Sequence, residues 1–230
     1  MNQTKILHYS DLLCIWAYVS EQALYCLNED FGERVSIEAH FCSVFPDTET
    51  KIATMWEGRG GFDGYAAHVR EVAGQFDGIT LHPDVWTRTR PRSSASPHLF
   101  LKAVELLESD GGLDNEPFEK RPSAMGARAL RRAFFAEGRD IANWAVQREI
   151  CDEIGIGFDP VLGQIESGAA IARLAADYEQ ARAQGIQGSP TYVLNEGRQR
   201  LFGNLGYGIL HANIKELLTG GPFESTSLCS

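Results

Sequence analysis

The sequence predicts an α/β fold, and three observations carry that reading. A strand–helix–strand pattern fills residues 5–41, a proline-led hairpin pattern brings sheet structure back at residues 190–202, and helical periodicity dominates between them.

The apolar run Lys5-Ile6-Leu7-His8 reads as the first strand, and Val19 to Asp30 as a helix stopped at Phe31-Gly32. Val35-Ser36-Ile37-Glu38-Ala39-His40-Phe41 alternates apolar and polar side chains, the period of a strand. Strand, helix and strand in that order predict parallel pairing with a right-handed crossover. Residues 45–94 are less regular: Gly58-Arg59-Gly60-Gly61 is a break, Tyr65 to Phe76 fits a short helix, and residues 78–86 read as loop or brief strand. From Ser96 helices take over. Ser96-Pro97 reads as a cap with proline at the first helical position, ahead of Leu99, Phe100, Ala103, Val104 and Leu107, and Gly111-Gly112 ends that helix. Ser123, Asp140 and Asp159-Pro160 read as the next caps, and a last helix carrying Ile171, Leu174, Ala175 and Tyr178 runs to Gly185. Four or five helices are thus expected between the second strand and Pro190. Thr191 to Leu194, the turn Asn195-Glu196-Gly197 and Arg198 to Phe202 read as a hairpin, and Tyr207 to Leu218 as a closing helix.

The 230 residues are 43% hydrophobic, enough for a real core, and 23% charged. A formal net charge of -10 argues against nucleic acid and anionic membranes as partners. No apolar run approaches the ~18 residues of a membrane span. The chain enters its first strand almost at once, so no secretory signal is expected, and the reading is cytoplasmic. Five cysteines (14, 26, 42, 151 and 229) are odd in number and widely spaced, which is neither a disulfide framework nor a metal pattern. No metal site is expected.

Cys14 is the candidate for chemistry. It falls where the first strand hands over to a helix, and unpaired N–H groups and the positive dipole end favour a thiolate there. The alternative is a small buried hydrophobe, the common state of a free cysteine. Cys26, Cys42 and Cys151 read as core. A second signal is Gly188-Ser189-Pro190-Thr191, a proline at the start of a β-branched, aromatic run.

Taken together, the two segments resemble the thioredoxin-like DsbA family, which carries Cys-x-x-Cys after its first strand and a cis-proline loop before its third. The nearer resemblance is to the branch of FrnE-like oxidoreductases, 2-hydroxychromene-2-carboxylate isomerases and kappa-class glutathione transferases. Asp11, Cys14, Ile15, Trp16, Ala17 and Tyr18 lie under that branch's Asp-x-x-Cys-Pro-Trp-Cys-Tyr, and residues 132–141 resemble its Tyr-Phe-x-Glu-Gly-x-Asp-Ile segment. Ala17 stands where dithiol members have the second cysteine, and Ile15 replaces the usual proline.

The resemblance implies a thioredoxin-like fold with a helical insertion between the second strand and the cis-proline strand. The thioredoxin-like part would be discontinuous, residues 1–45 and 186–220, with a mostly helical insertion at 46–185 and a mobile tail at 221–230. It implies a single-cysteine thiol-disulfide oxidoreductase in which Cys14 reacts and an outside thiol, glutathione or a protein thiol, completes the cycle. A glutathione-dependent isomerase or transferase and a non-catalytic binding protein are the alternatives. Trp16, Ser189, Pro190 and Asn204 would hold glutathione as a co-substrate, no cofactor is tightly bound, and a homodimer is a family-level expectation. In Phe202-Gly203-Asn204-Leu205-Gly206, Leu205 lacks the carboxylate that would meet a γ-glutamyl ammonium, worth roughly 1.5–3 kcal/mol. Asp11 reads as a local turn acceptor. His8 and His98 read as core or surface residues, Arg88, Arg90 and Arg92 as a solvated loop or an anion-receiving patch, and Cys229 as an exposed thiol or a resolving one.

Overall fold

The computed structural model describes residues 3–219. β1 (Thr4–Ser10) exposes only Lys5, the mark of a central strand covered on both faces. α1 (Ile15–Phe31) follows and stops at Gly32, whose φ of 51° suits a residue without a Cβ and whose N–H returns to the Asn28 carbonyl. β2 (Val35–Phe41) then pairs parallel with β1, from Thr4 beside Val35 to Ser10 beside Phe41.

Seven α-helices come next among the described residues: α2 (Thr48–Met55), α3 (Gly61–Ala73), α4 (Ala95–Asp110), α5 (Pro122–Arg131), α6 (Trp144–Ile154), α7 (Phe158–Glu166) and α8 (Ala169–Ala183). Four or five were expected; α2 escaped because its eight residues bury only Thr48 and Ile52. β3 (Thr191–Leu194) runs antiparallel to β1, and β4 (Gln199–Phe202) antiparallel to β3, so the sheet order is β2-β1-β3-β4. α9 (Tyr207–Thr219) packs Leu210, Ile214 and Leu217 into the core. None of the described helices is long and apolar enough to cross a membrane. The expected tail at 221–230, with Cys229, lies outside the described residues.

None of the four expected cap residues sits at its helix's N-cap position. Ser96 sits inside α4 and its hydroxyl donates to the Ala142 carbonyl at 2.9 Å. Ser123 also lies within its helix, and its backbone N–H goes to the Glu108 carboxylate. Asp140 closes a turn by accepting from Ala142 N–H, while Asn143 caps α6 by accepting from Ala145 N–H. Asp159 falls within the first turn of α7, whose cap position is Gly157.

A buried ionic cluster ties the helices to the sheet. Lys102 on α4, 1% exposed, places Nζ 2.7 Å from the Asp177 carboxylate of α8 and 2.8 Å from that of Glu105. Asp177 also accepts the Phe41 N–H of β2 at 2.9 Å and meets His40 Nδ1 at 2.8 Å. Asp177→Ala would leave a buried ammonium with half its compensation and a buried N–H with none. The expected loss is about 3 kcal/mol, read from the urea midpoint.

Candidate active site

The register of the sheet decides what meets at its end. β1 leaves the sheet at Ser10 where β2 also leaves, at Phe41, while antiparallel β3 enters beside them, with Thr191 opposite Tyr9. Three connections therefore converge: residues 11–14, residues 42–45 and the loop at 188–190.

Cys14 is the N-cap residue of α1, one position before the helix proper. Its N–H closes a turn onto the Asp11 carbonyl at 3.1 Å, and its sulfur donates to the Ser189 carbonyl at 3.2 Å. The Ser189–Pro190 peptide bond is cis. The Ser189 hydroxyl accepts the Asp11 N–H at 2.9 Å, which leaves its own proton free for the Cys14 sulfur. Ala17, three residues on and fully buried, offers no second thiol.

Asp11 has no solvent exposure, and its carboxylate is met by four donors. One oxygen accepts the Leu13 N–H at 2.9 Å; the other accepts Val44 N–H at 2.9 Å, Phe45 N–H at 3.0 Å and the Ser94 hydroxyl at 2.7 Å. The expected local turn acceptor is thus also a long-range one. His98 lies behind it: Nε2 accepts the Leu12 N–H at 3.2 Å, Nδ1 faces the Tyr178 hydroxyl at 2.9 Å, and the ring stacks on Phe41. Burial pushes the His98 pKa down to about 4, so the ring is neutral.

A cavity of about 360 Å³ opens onto Cys14. Trp16, Gly188 and Ser189 line it, and Trp16 sets its ring edge-on to Phe76. The rest of the wall comes from segments that carried no site signal in the sequence: Val44 and Phe45 after β2, Ile52 and Trp56 near α2, and Tyr65 and His68 on α3. Only the short helix from Tyr65 was legible in the sequence, and what it faces was not. Lys51 and Arg59 are the cations of the lining, lying over Phe45 and Trp56, and no carboxylate joins them. Met55 and Phe202, the latter 61% exposed, stand at the mouth.

Two expected site features differ. Neither Pro190 nor Asn204 is among the lining residues. Cys14 is not held as a thiolate: at 6% exposure its pKa rises above the usual 9.0, because burial outweighs the Ser189 hydroxyl and the Ala17 and Trp16 N–H groups, and Asp11 adds to the rise. A helix N-terminus lowers a thiol pKa only when the sulfur keeps enough solvation to ionise.

Elsewhere, Cys42 and Cys151 are buried as expected, whereas Cys26 is only half-buried. His8 is buried, packed on Tyr192 and outside the cavity. Arg88, Arg90 and Arg92 face Asp84, Asp63 and the Asp47–Glu49 pair, which accounts for their charge on the surface. Among the described residues no group of three or more His, Cys, Asp or Glu is placed to hold a metal ion.

Two measurements follow from these environments. Alkylation of Cys14 by iodoacetamide should climb through pH 9 without a plateau, because less than about 1% of a thiol with so high a pKa is ionised at pH 7. A plateau near pH 7 would refute the burial argument. Stability should fall in mild acid, for His8 and His98 hold folded pKa values of about 3 and about 4 against 6.5 when free. Below pH 6.5 the unfolded chain takes up protons that the fold refuses, at a cost of about 1.4 kcal/mol per pH unit per histidine, down to each folded pKa. Urea midpoints between pH 7 and 4.5 read that slope.

Comparison with known proteins agrees with this geometry. The DSBA-like thioredoxin domain family matches residues 119–215, which include the cis-proline loop but not Cys14. No curated protein sequence matches. Among solved structures, the cytosolic disulfide reductase DsbM from Pseudomonas aeruginosa is 21% identical with a TM-score of 0.65, covering 92% of this chain and 98% of its own. That protein has also been solved with GSH. A 2-hydroxychromene-2-carboxylate isomerase is 17% identical with a TM-score of 0.62 (93% and 95% covered). The thiol-disulfide exchange protein alpha-DsbA2 from Wolbachia pipientis is 11% identical with a TM-score of 0.59 (94% and 82% covered). With its four-stranded mixed sheet and helical layers, the chain has a thioredoxin-like fold, and its residues 119–215 match the DSBA-like thioredoxin domain family.

Proposed function

We propose that the protein is a thiol-disulfide oxidoreductase that works through Cys14 alone, with glutathione or a protein thiol as its partner. The observation that carries this reading is the Cys14 sulfur at the end of an open cavity, 3.2 Å from the carbonyl that precedes the cis-proline, with Ala17 where a resolving cysteine would stand. The likeness to a disulfide reductase solved with GSH supports it.

The step balances as follows. Cys14 S–H loses its proton and its sulfur bonds to one sulfur of oxidised glutathione; the S–S bond breaks and the second glutathione leaves as a thiol. An incoming thiol then attacks the mixed disulfide and restores Cys14. Because the resting sulfur is protonated, rate comes from holding the disulfide in the cavity against Cys14 rather than from a standing thiolate. Lys51 and Arg59 give that cavity a positive lining suited to glutathione carboxylates. The residues that bracket the cavity come from both the sheet-bearing segments (1–45, 186–220) and the helical segment (46–185), and the reading needs both. A cytoplasmic setting, where glutathione is abundant, belongs to the same proposal.

A second reading draws on the protonated sulfur. An S–H that donates to Ser189 O could donate instead to a bound glutathione sulfur, as a glutathione-dependent isomerase or transferase would require. Mass spectrometry separates the two. Incubation with oxidised glutathione should add one glutathione to Cys14, and Cys14→Ser should remove that adduct. Glutathione binding that persists in Cys14→Ser, with no adduct on the native chain, would favour the second reading. No adduct and no binding would leave a protein that keeps the fold without the chemistry.

A further inference from the structure

Tyr65 is buried on α3 at 9% exposure, and it lines the same cavity as Cys14. Its ring is fixed by Trp56 at 5.5 Å, Trp86 at 5.4 Å and Phe45 at 6.2 Å. Its hydroxyl has no hydrogen-bond partner among the described residues. It is not among the sealed, unpartnered polar atoms of the core either, so the hydroxyl is accessible from the cavity that Tyr65 lines. Burial, with Cys14 and Asp11 close by, also keeps Tyr65 in its O–H form, its pKa well above the usual 10.0. A rigid, protonated donor with no hydrogen-bond partner among the described residues therefore lines the same cavity as the Cys14 thiol.

We propose that Tyr65 is a second catalytic residue, whose O–H donates a hydrogen bond to the sulfur that departs when Cys14 attacks a disulfide. This rests on the oxidoreductase reading above. As the Cys14 sulfur bonds to the near sulfur, the S–S electron pair moves to the far one. Phe45, Ile52 and Trp56 form part of the cavity wall, and beside them the developing thiolate meets fewer donors than it would in water. The Tyr65 O–H supplies the donor and keeps its proton, being a weaker acid than the departing glutathione thiol; the departing sulfur takes its proton from solvent, matching the one Cys14 gave up. Net, one disulfide is cleaved, one mixed disulfide forms, and one thiol leaves.

Stopped-flow rates with two disulfides test this on the full chain and on Tyr65→Phe, which keeps the ring. Oxidised glutathione releases a basic thiolate that needs the donor; dithio-bis-nitrobenzoate releases one that is already stable. Tyr65→Phe should slow reaction with the first by about tenfold and leave the second within about twofold, since one hydrogen bond is worth about 1.5 kcal/mol. Iodoacetamide alkylation, within about twofold of the native chain, would show that Cys14 itself is undisturbed. Equal slowing toward both disulfides, or none, overturns the role of Tyr65 while the native chain's reactivity still upholds the oxidoreductase reading. A native Cys14 inert to both disulfides overturns the two together.

Discussion

The Asp11 carboxylate is the constraint on which the site depends. A charge with no solvent exposure survives in a protein only when donors replace its water, and Asp11 has four, drawn from three separate stretches of chain. Leu13 N–H sets the turn that presents Cys14. Val44 and Phe45 N–H hold the wall of the cavity, and the Ser94 hydroxyl brings in the start of α4. Sheet end, cavity wall and helical layer are thus tied to one side chain, three residues from the sulfur they serve.

That arrangement has an electrostatic consequence. The first turn of α1 offers the Cys14 sulfur N–H groups that favour an anion, yet the same packing that orders the turn strips water from the sulfur and sets a negative charge beside it. Desolvation wins. The site is therefore organised around a protonated thiol near a prolyl bend, and its chemistry has to come from what enters the cavity and from the donors that surround it. Lys51 and Arg59, on a chain of net charge -10, concentrate positive charge in the lining of that cavity.

The helical region is joined to the sheet by groups that are costly to bury singly. Lys102 bridges Asp177 and Glu105, and Asp177 reaches the backbone of β2, while Arg131 on α5 spans Glu21 at 2.6 Å and the Ser10 hydroxyl at 2.9 Å. Such pairs do little for net stability compared with apolar packing, but each penalises any arrangement that separates its partners. They align β1 and β2 with the helices whose side chains close the cavity.

Local patterning was enough to read the strands, their order in the chain, the glycine stops at Gly32 and Gly111, and the two segments that hold Cys14 and Pro190, because side-chain period and backbone permissiveness act over a few residues. The caps at Ser96, Ser123 and Asp140 misled: the Ser96 hydroxyl goes to Ala142, Ser123 lies inside its helix, and Asp140 closes a local turn ahead of the cap residue Asn143. The ionisation of Cys14, the reach of Asp11, the absence of Asn204 from the cavity and the presence of Tyr65 in it were decided only by tertiary structure. Desolvation and long-range hydrogen bonding depend on what packs against a residue, and no local pattern encodes that.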